Sequence, residues 1–210
     1  MSFLIHPSYF PNIATMAVVN RHACTWEVCD YYQKQTYRNR CHIATDQGKH
    51  MLTIPIKHVG GAQGKQYYKE VRLENEYNWQ RQHWRTLQTA YRTSPFFEYY
   101  EDDLAPLYNM PFEYLLDFTF KSIEIVCECL QLPMPEHKTT RYEAIPEQGK
   151  DFRGLVNAKK PVTFDPPPYS QVFDDRHGFI PNLSILDLLF NEGTAALTYL
   201  EELPLSFLDG

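Results

Sequence analysis

An α/β fold is predicted for this 210-residue chain: a mostly parallel, three-layer sheet with flanking helices and an irregular C-terminal third. Three observations predict it. Two short apolar runs, Phe3-Leu4-Ile5 and Cys24 to Cys29, enclose an apolar segment from Ile13 to Val19 that suits a helix. Helical periodicities follow in the middle of the chain. Prolines then crowd most of the remainder. A strand–helix–strand crossover within one sheet makes parallel, right-handed neighbours. The polar stretches His6 to Pro11 and Asp30 to Arg40 would then leave the C-terminal ends of adjacent strands, where open parallel sheets hold ligands.

Beyond this opening unit, His50 to Ile56 reads as a strand, with Pro55 favouring an edge or a strand end. Lys57 to Lys65 contains Gly60-Gly61 and Gly64 and reads as a flexible loop. Tyr67 to Leu73 suits another strand, with Val71 and Leu73 on one side. Asn78 is placed to cap a helix running to about Thr93, because Trp79, His83/Trp84, Leu87 and Ala90/Tyr91 recur at helical spacing. Pro95 ends it. The longest helix is expected within Pro106 to Leu132, with Leu115, Leu116, Thr119, Ile123 and Val126 on its core face. Residues 133–178 form a proline-rich irregular arm or loop, the kind of stretch often used as a lid or a partner-binding segment. Ser184 with Asp187 fits a capping box ahead of the apolar helix Ile185 to Phe190. Gly193 is a natural C-cap, and Ala195 to Leu200 adds one more turn.

Length and composition suit one folded domain spanning residues 1–210. The formal net charge is −6. Nucleic-acid binding needs a local basic field, which only Lys34 to Arg40 offers, and the acidic background argues against it. Fifteen Tyr and thirteen Phe supply either a Tyr-rich surface and core or a groove lined for rings such as sugars or bases. Five cysteines follow no disulfide framework for a chain of this length. Met1 leads straight into a strand-like run without a signal-peptide pattern, and no apolar stretch approaches about 20 residues. A cytoplasmic, reducing location is expected, with no membrane segment.

The candidate chemistry gathers on the two loops. His6 can accept a proton near neutral pH, as general-base activation of an amine or hydroxyl requires; the alternative is a histidine bonded to the loop backbone. Asp30 could orient His6, bind an ammonium group, or pair with Arg38 or Arg40. Lys34, Arg38 and Arg40 can hold a phosphate or carboxylate, or simply bridge to carboxylates. Tyr9, Gln33, Tyr37 and Asn39 are sensible contacts for a sugar. His83 lies on the apolar stripe of its helix, as either a core histidine or a site residue. Cys41 beside Arg40 is a further candidate nucleophile if its pKa is lowered. The evenly spaced His42, His50 and His58 match no compact metal motif, and His177 with Asp174 and Asp175 is a weak one. No metal or other cofactor is expected.

The run Leu4-Ile5-His6-Pro7-Ser8-Tyr9-Phe10-Pro11, then Asp30, Gln33-Lys34 and Tyr37-Arg38-Asn39-Arg40, resembles the WbqC-like family of bacterial proteins. Leu52-Thr53-Ile54-Pro55-Ile56 fits it too, as do Trp79, His83, Tyr91, Pro95-Phe96-Phe97 and the stretch Phe179 to Asn191. The resemblance covers nearly the whole chain. It implies an association with surface-polysaccharide and O-antigen gene sets, and transfer of an acyl or aminoacyl group, glycyl among them, to an amino sugar or nucleotide sugar. Under that reading His6 and Asp30 are catalytic. Tyr9, Gln33, Lys34, Tyr37, Arg38, Asn39, Arg40 and His83 bind substrate. The competing reading is a non-catalytic ligand-binding or assembly protein, with the arm packed on a second subunit of a homo-oligomer. Two departures from the family pattern stand out. Its usual start reads His-Gln-Pro, whereas only Ile5-His6 precede Pro7 here. A helix and strand with a Gly-containing segment are largely absent between Phe152-Arg153 and Tyr169, which puts a sheet strand and part of a pocket in question.

Overall fold

The computed structural model describes residues 2–57 and 65–208. Its elements are β1 (Phe3–Ile5), α1 (Ile13–Arg21), β2 (Cys24–Trp26), β3 (Arg40–Thr45), β4 (Gly48–Thr53), α2 (Trp79–Tyr91), α3 (Phe97–Asn109), α4 (Leu115–Cys129), β5 (Lys150–Asp151), α5 (Asp174–His177), α6 (Ile185–Glu192) and α7 (Ala195–Glu202). The expected α/β architecture is present, with a parallel sheet flanked by helices and a less regular C-terminal region. The sheet runs in the order β2-β1-β5, and β1 pairs parallel with both neighbours. Trp26 also bridges in parallel to Lys138. The proline-rich arm therefore borders the sheet on both sides, at Lys138 beyond β2 and at β5 beyond β1.

Alternation gives this small sheet two unlike faces. Phe3, Ile5, Cys24 and Trp26 are buried in the main apolar core. Leu4 pairs with Thr25 and with Asp151, so the other face carries Leu4, Thr25 and Asp151, and its alternation continues to His6 and Glu27. α1 is buried along almost its whole length, from Ile13 to Val19. Its first turn is satisfied by Asn12, whose Oδ1 accepts from the Thr15 N–H at 2.9 Å.

Several elements differ from the sequence reading. Cys24 to Cys29 is a strand only to Trp26, because Glu27 turns its carboxylate back onto the Cys29 N–H at 2.8 Å. β4 begins at Gly48 and pairs antiparallel with β3. The polar stretch from Asp30 ends as β3 begins at Arg40; β3 alternates Cys41 and Ile43 inward, and Gly48 at φ +90 closes the hairpin. Tyr67 to Leu73 is no strand: Tyr68–Glu70 forms a 3-10 turn, with isolated bridges at Tyr67 and Leu73. α2 fits its predicted span, but the Asn78 side chain makes no capping bond. Pro95 does end α2, and α3 then starts at Phe97 and carries Pro106 inside it. α4 is the longest helix and lies within the predicted bounds. Ser184 caps α6 through the Leu186 N–H. Asp187 does not complete a capping box, since its carboxylate turns inward to the hydroxyls of Tyr91 and Tyr169 and the amide of Gln171. α7 extends two residues past the predicted turn, to Glu202. The Gly60-Gly61 loop and His58 lie outside the described residues.

Candidate functional site

His6, Asp30 and Arg38 meet just past the C-terminal end of β1. Arg38 sits in a 3-10 turn, Tyr37–Asn39, whose backbone is held from two sides. Thr119 of α4 and Tyr68 both donate to the Arg38 carbonyl, at 3.4 and 3.5 Å. The Tyr68 N–H also holds the Asp30 carbonyl at 2.9 Å, and the Tyr68 ring lies beneath the guanidinium, 5.4 Å from Cζ. His6, Asp30 and Arg38 are 5%, 5% and 0% exposed. Arg38 Nη2 donates to Asp30 Oδ2 at 2.8 Å and stands 2.7 Å from His6 Nε2. His6 Nδ1 is 3.3 Å from the Glu27 carbonyl.

Arg38 Nη2 also stands 3.2 Å from His6 Nδ1, so it lies over the imidazole face, close to both ring nitrogens. His6 Nε2 lies 3.3 Å from Asp30 Oδ2, the oxygen that accepts from Arg38 Nη2. Asp30 therefore meets His6 directly and shares Arg38 with it. Burial, assisted by the Arg38 charge and opposed by Asp30, lowers the imidazole to about 4. Burial works against ionised Asp30, but His6, Arg38 and the Tyr31 N–H together hold its carboxyl below the usual range. Arg38 retains two buried nitrogens, Nε and Nη1, without partners.

A cavity of about 200 Å³ opens beside this cluster, lined by His6, Asp30, Gln33, Tyr142, Arg153 and Asn157 among others. Arg153 follows β5. It grips Asp151 through Nε at 2.9 Å and Nη2 at 2.6 Å, and donates to the carbonyls of Glu143 and Ala144 at 2.9 and 3.0 Å. Its guanidinium lies over the Tyr142 ring. The three parallel strands thus deliver His6, Glu27 and Arg153 to one edge of the sheet, the location that parallel topology favours for ligands.

The remaining predicted residues take up different surroundings. Gln33 is exposed and lines the cavity, and Lys34 is exposed on the same loop. Tyr9 is fully buried, bonded at its hydroxyl to His83 Nδ1 at 3.1 Å and to the Tyr108 hydroxyl at 2.8 Å. Tyr9 and His83 therefore pair with each other in the core, on none of the walls that His6 and Asp30 share. Tyr37 is buried with its ring edge-on to His42. Asn39 donates to the Ile54 carbonyl at 2.9 Å and braces β4. Arg40 starts β3 and contacts Met51. Lys34, Arg38 and Arg40 therefore do not form one anion clamp: Arg38 is committed to Asp30 and His6, and Arg40 to the hairpin. Burial pushes the Cys41 thiol up, against the lowered value that a nucleophile needs. His177 bonds the Thr45 carbonyl at 3.0 Å. Among the described residues, no three His, Cys, Asp or Glu side chains cluster as metal ligands, and no helix is long and apolar enough to cross a membrane.

Sequence reasoning missed Tyr68, Glu27 and Arg153. Glu27 did leave a signal, a lone carboxylate inside an apolar run. Tyr68 and Arg153 left none.

The WbqC-like protein family model matches residues 7–160 and 158–199. The chain belongs to the WbqC-like protein family. Asp30, Arg38 and Arg153 fall inside the matched range, and His6 sits immediately before it. The two matched ranges overlap at residues 158–160, inside the stretch from Phe152 to Tyr169. The uncharacterized protein Rv1507c of Mycobacterium tuberculosis is similar to this WbqC-like chain, 27% identical over 197 residues that cover 80% of this chain and 83% of that protein. No solved structure matches the chain.

Proposed function

We propose that this WbqC-like protein is a group transferase that passes an acyl or aminoacyl unit to an amino sugar or nucleotide sugar. Family membership ties it to bacterial surface-polysaccharide biosynthesis in general. The observation that carries the finer reading is the meeting of His6 and Asp30, brought from two parallel strand ends, on one cavity wall with Arg153. Ionised Asp30 attracts the ammonium of an amino sugar. After that group loses a proton to water, the amine attacks the donor carbonyl, the new N–C bond forms, and the donor's leaving group departs. The second proton lost by the nitrogen passes to His6 Nε2 and on to the leaving group.

Proton acceptance by His6 works against burial and the Arg38 charge, the two causes that depress the imidazole, with Asp30 alongside to oppose them. The test is turnover of nucleotide sugars and amino sugars with activated acyl donors, after a thermal-shift screen for the ones that bind. His6→Ala is expected to remove turnover at unchanged fold. Full activity in that variant eliminates His6 as the base.

The burial of His6 beside the Arg38 charge, and the low basicity that follows, favour a second reading, a ligand-binding protein without catalysis. It predicts a thermal shift with a nucleotide sugar or amino sugar, and no product with any donor.

A further inference from the structure

The β3–β4 hairpin carries most of its charge on one face. Its register pairs Arg40 with Thr53, His42 with Met51 and Ala44 with Lys49. Alternate side chains share a side of a strand, and Cys41, Ile43 and Leu52 enter the core. Arg40, His42, Lys49 and Met51 therefore stand together on the opposite face, where Lys49 and Met51 are exposed. Residues 40–53 contain one acidic side chain, Asp46. It sits in the turn, where its carboxylate accepts from the Gln47 amide at 3.1 Å and lies 4.0 Å from Arg176.

Among the described residues, neither Arg40 nor Lys49 pairs with a carboxylate. Arg40 Nη1 meets only the Met51 thioether, at 3.8 Å, and a thioether is a weak acceptor. Arg40 Nε and His42 Nδ1 are both buried without a hydrogen-bond partner. The Tyr37 ring stands edge-on to His42, with ring centres 5.6 Å apart. Burial, then the Lys49 charge, then the Arg40 charge lowers His42 to about 4, and no carboxylate opposes them. Burial lowers Lys49 as well. A single lysine on an edge strand serves to keep other sheet edges away. An arginine and a lysine acting on the same imidazole go further, because their charges disfavour its protonation and no group of the protein offsets them. A bound anion would offset them. Its oxygens can accept from a guanidinium, an ammonium and an imidazole at once, in charge-assisted hydrogen bonds.

We propose that this face binds a tetrahedral oxyanion of the sulfate or phosphate class, held by Arg40, His42 and Lys49. None of the three lines the cavity beside His6, and the inference does not rest on group transfer there. The experiment is an NMR-detected titration of the full chain with sodium sulfate, against sodium chloride at equal ionic strength. Sulfate is expected to saturate, with shifts centred on His42 and Lys49, and to move the His42 titration upward from about 4. Lys49→Gln, at an exposed position, is expected to weaken sulfate about tenfold or more at unchanged fold, the usual scale of a hydrogen bond to a charged group. Arg40→Gln is expected to weaken it likewise. Shifts that grow without saturating, shifts that chloride reproduces, or a sulfate affinity that survives Lys49→Gln overturns the proposal. Should Arg40→Gln fail to fold, the comparison of the two salts and the Lys49→Gln variant decide it.

Discussion

Replacing Asp30 with Asn strips the counter-charge from a guanidinium that has no exposed surface. The variant retains an oxygen for the Tyr31 N–H, which Asp30 Oδ1 now accepts at 2.6 Å, so the loss is chiefly one of charge. At the 2.8 Å separation of Arg38 and Asp30, the attraction amounts to about 6 kcal/mol at an effective dielectric of about 20. Part of this offsets the several kcal/mol needed to take Asp30 out of water, a cost that the variant no longer bears. The expected destabilisation at pH 7 is therefore about 3–5 kcal/mol, the range for breaking a buried pair. Urea unfolding followed by circular dichroism measures it, with an unchanged denaturant slope as the sign that only stability has moved. The effect also has a pH signature. The folded pKa of Asp30 lies below its unfolded value, so its contribution is complete above about pH 4 and disappears as pH falls through the folded value. The gap between wild type and variant is expected to close in that acidic window. Removing Arg38 as well, in an Asp30→Asn, Arg38→Met double variant, is expected to recover part of the loss. A cost below about 1 kcal/mol, the size of an exposed ion pair, would refute the account of a desolvated cluster.

The His6 imidazole is expected to remain neutral from pH 8 to pH 5 and to titrate near 4; an NMR titration centred near 6.5 contradicts this. Since the unfolded chain takes up that proton first, stability falls as pH drops from about 6.5 toward 4. His42 and His83, also lowered to about 4, act in the same direction. Asp187→Ala leaves the buried hydroxyls of Tyr91 and Tyr169 and the amide of Gln171 without their shared acceptor. It is expected to cost about 3 kcal/mol or more in urea unfolding, and a loss within 1 kcal/mol rejects the network. Gly193→Ala would put a Cβ 2.5 Å from the Phe96 ring at φ +55 and lower the melting temperature, whereas Gly154→Ala, with no atom within 4 Å of the new Cβ, is expected to be close to neutral.

What the sequence determined was local. The β1–α1–β2 order, the aromatic stripe of α2, the core face of α4 and the apolar α6 all follow from spacing between neighbouring residues, which periodicity records directly. The placement of His6 and Asp30 at strand exits followed too, because parallel crossovers send consecutive strands the same way. Tertiary structure decided the rest. β5 is two residues long in a stretch without periodicity, and it becomes a strand only because Ser2 and Leu4 offer unpaired carbonyls at 3.0 and 2.9 Å. Tyr9 and His83 each look like a ligand contact in isolation, and they turn out to satisfy each other across 74 positions of chain. Arg38 could have faced solvent beside Lys34; burial against Tyr68 and the pull of Asp30 turned it inward. Glu27 and Arg153 acquire meaning only once β2 and β5 lie on either side of β1. Pairings over such distances must overcome the entropy of closing long loops, and the free energy that does so comes from contacts with partners that no short window of residues contains.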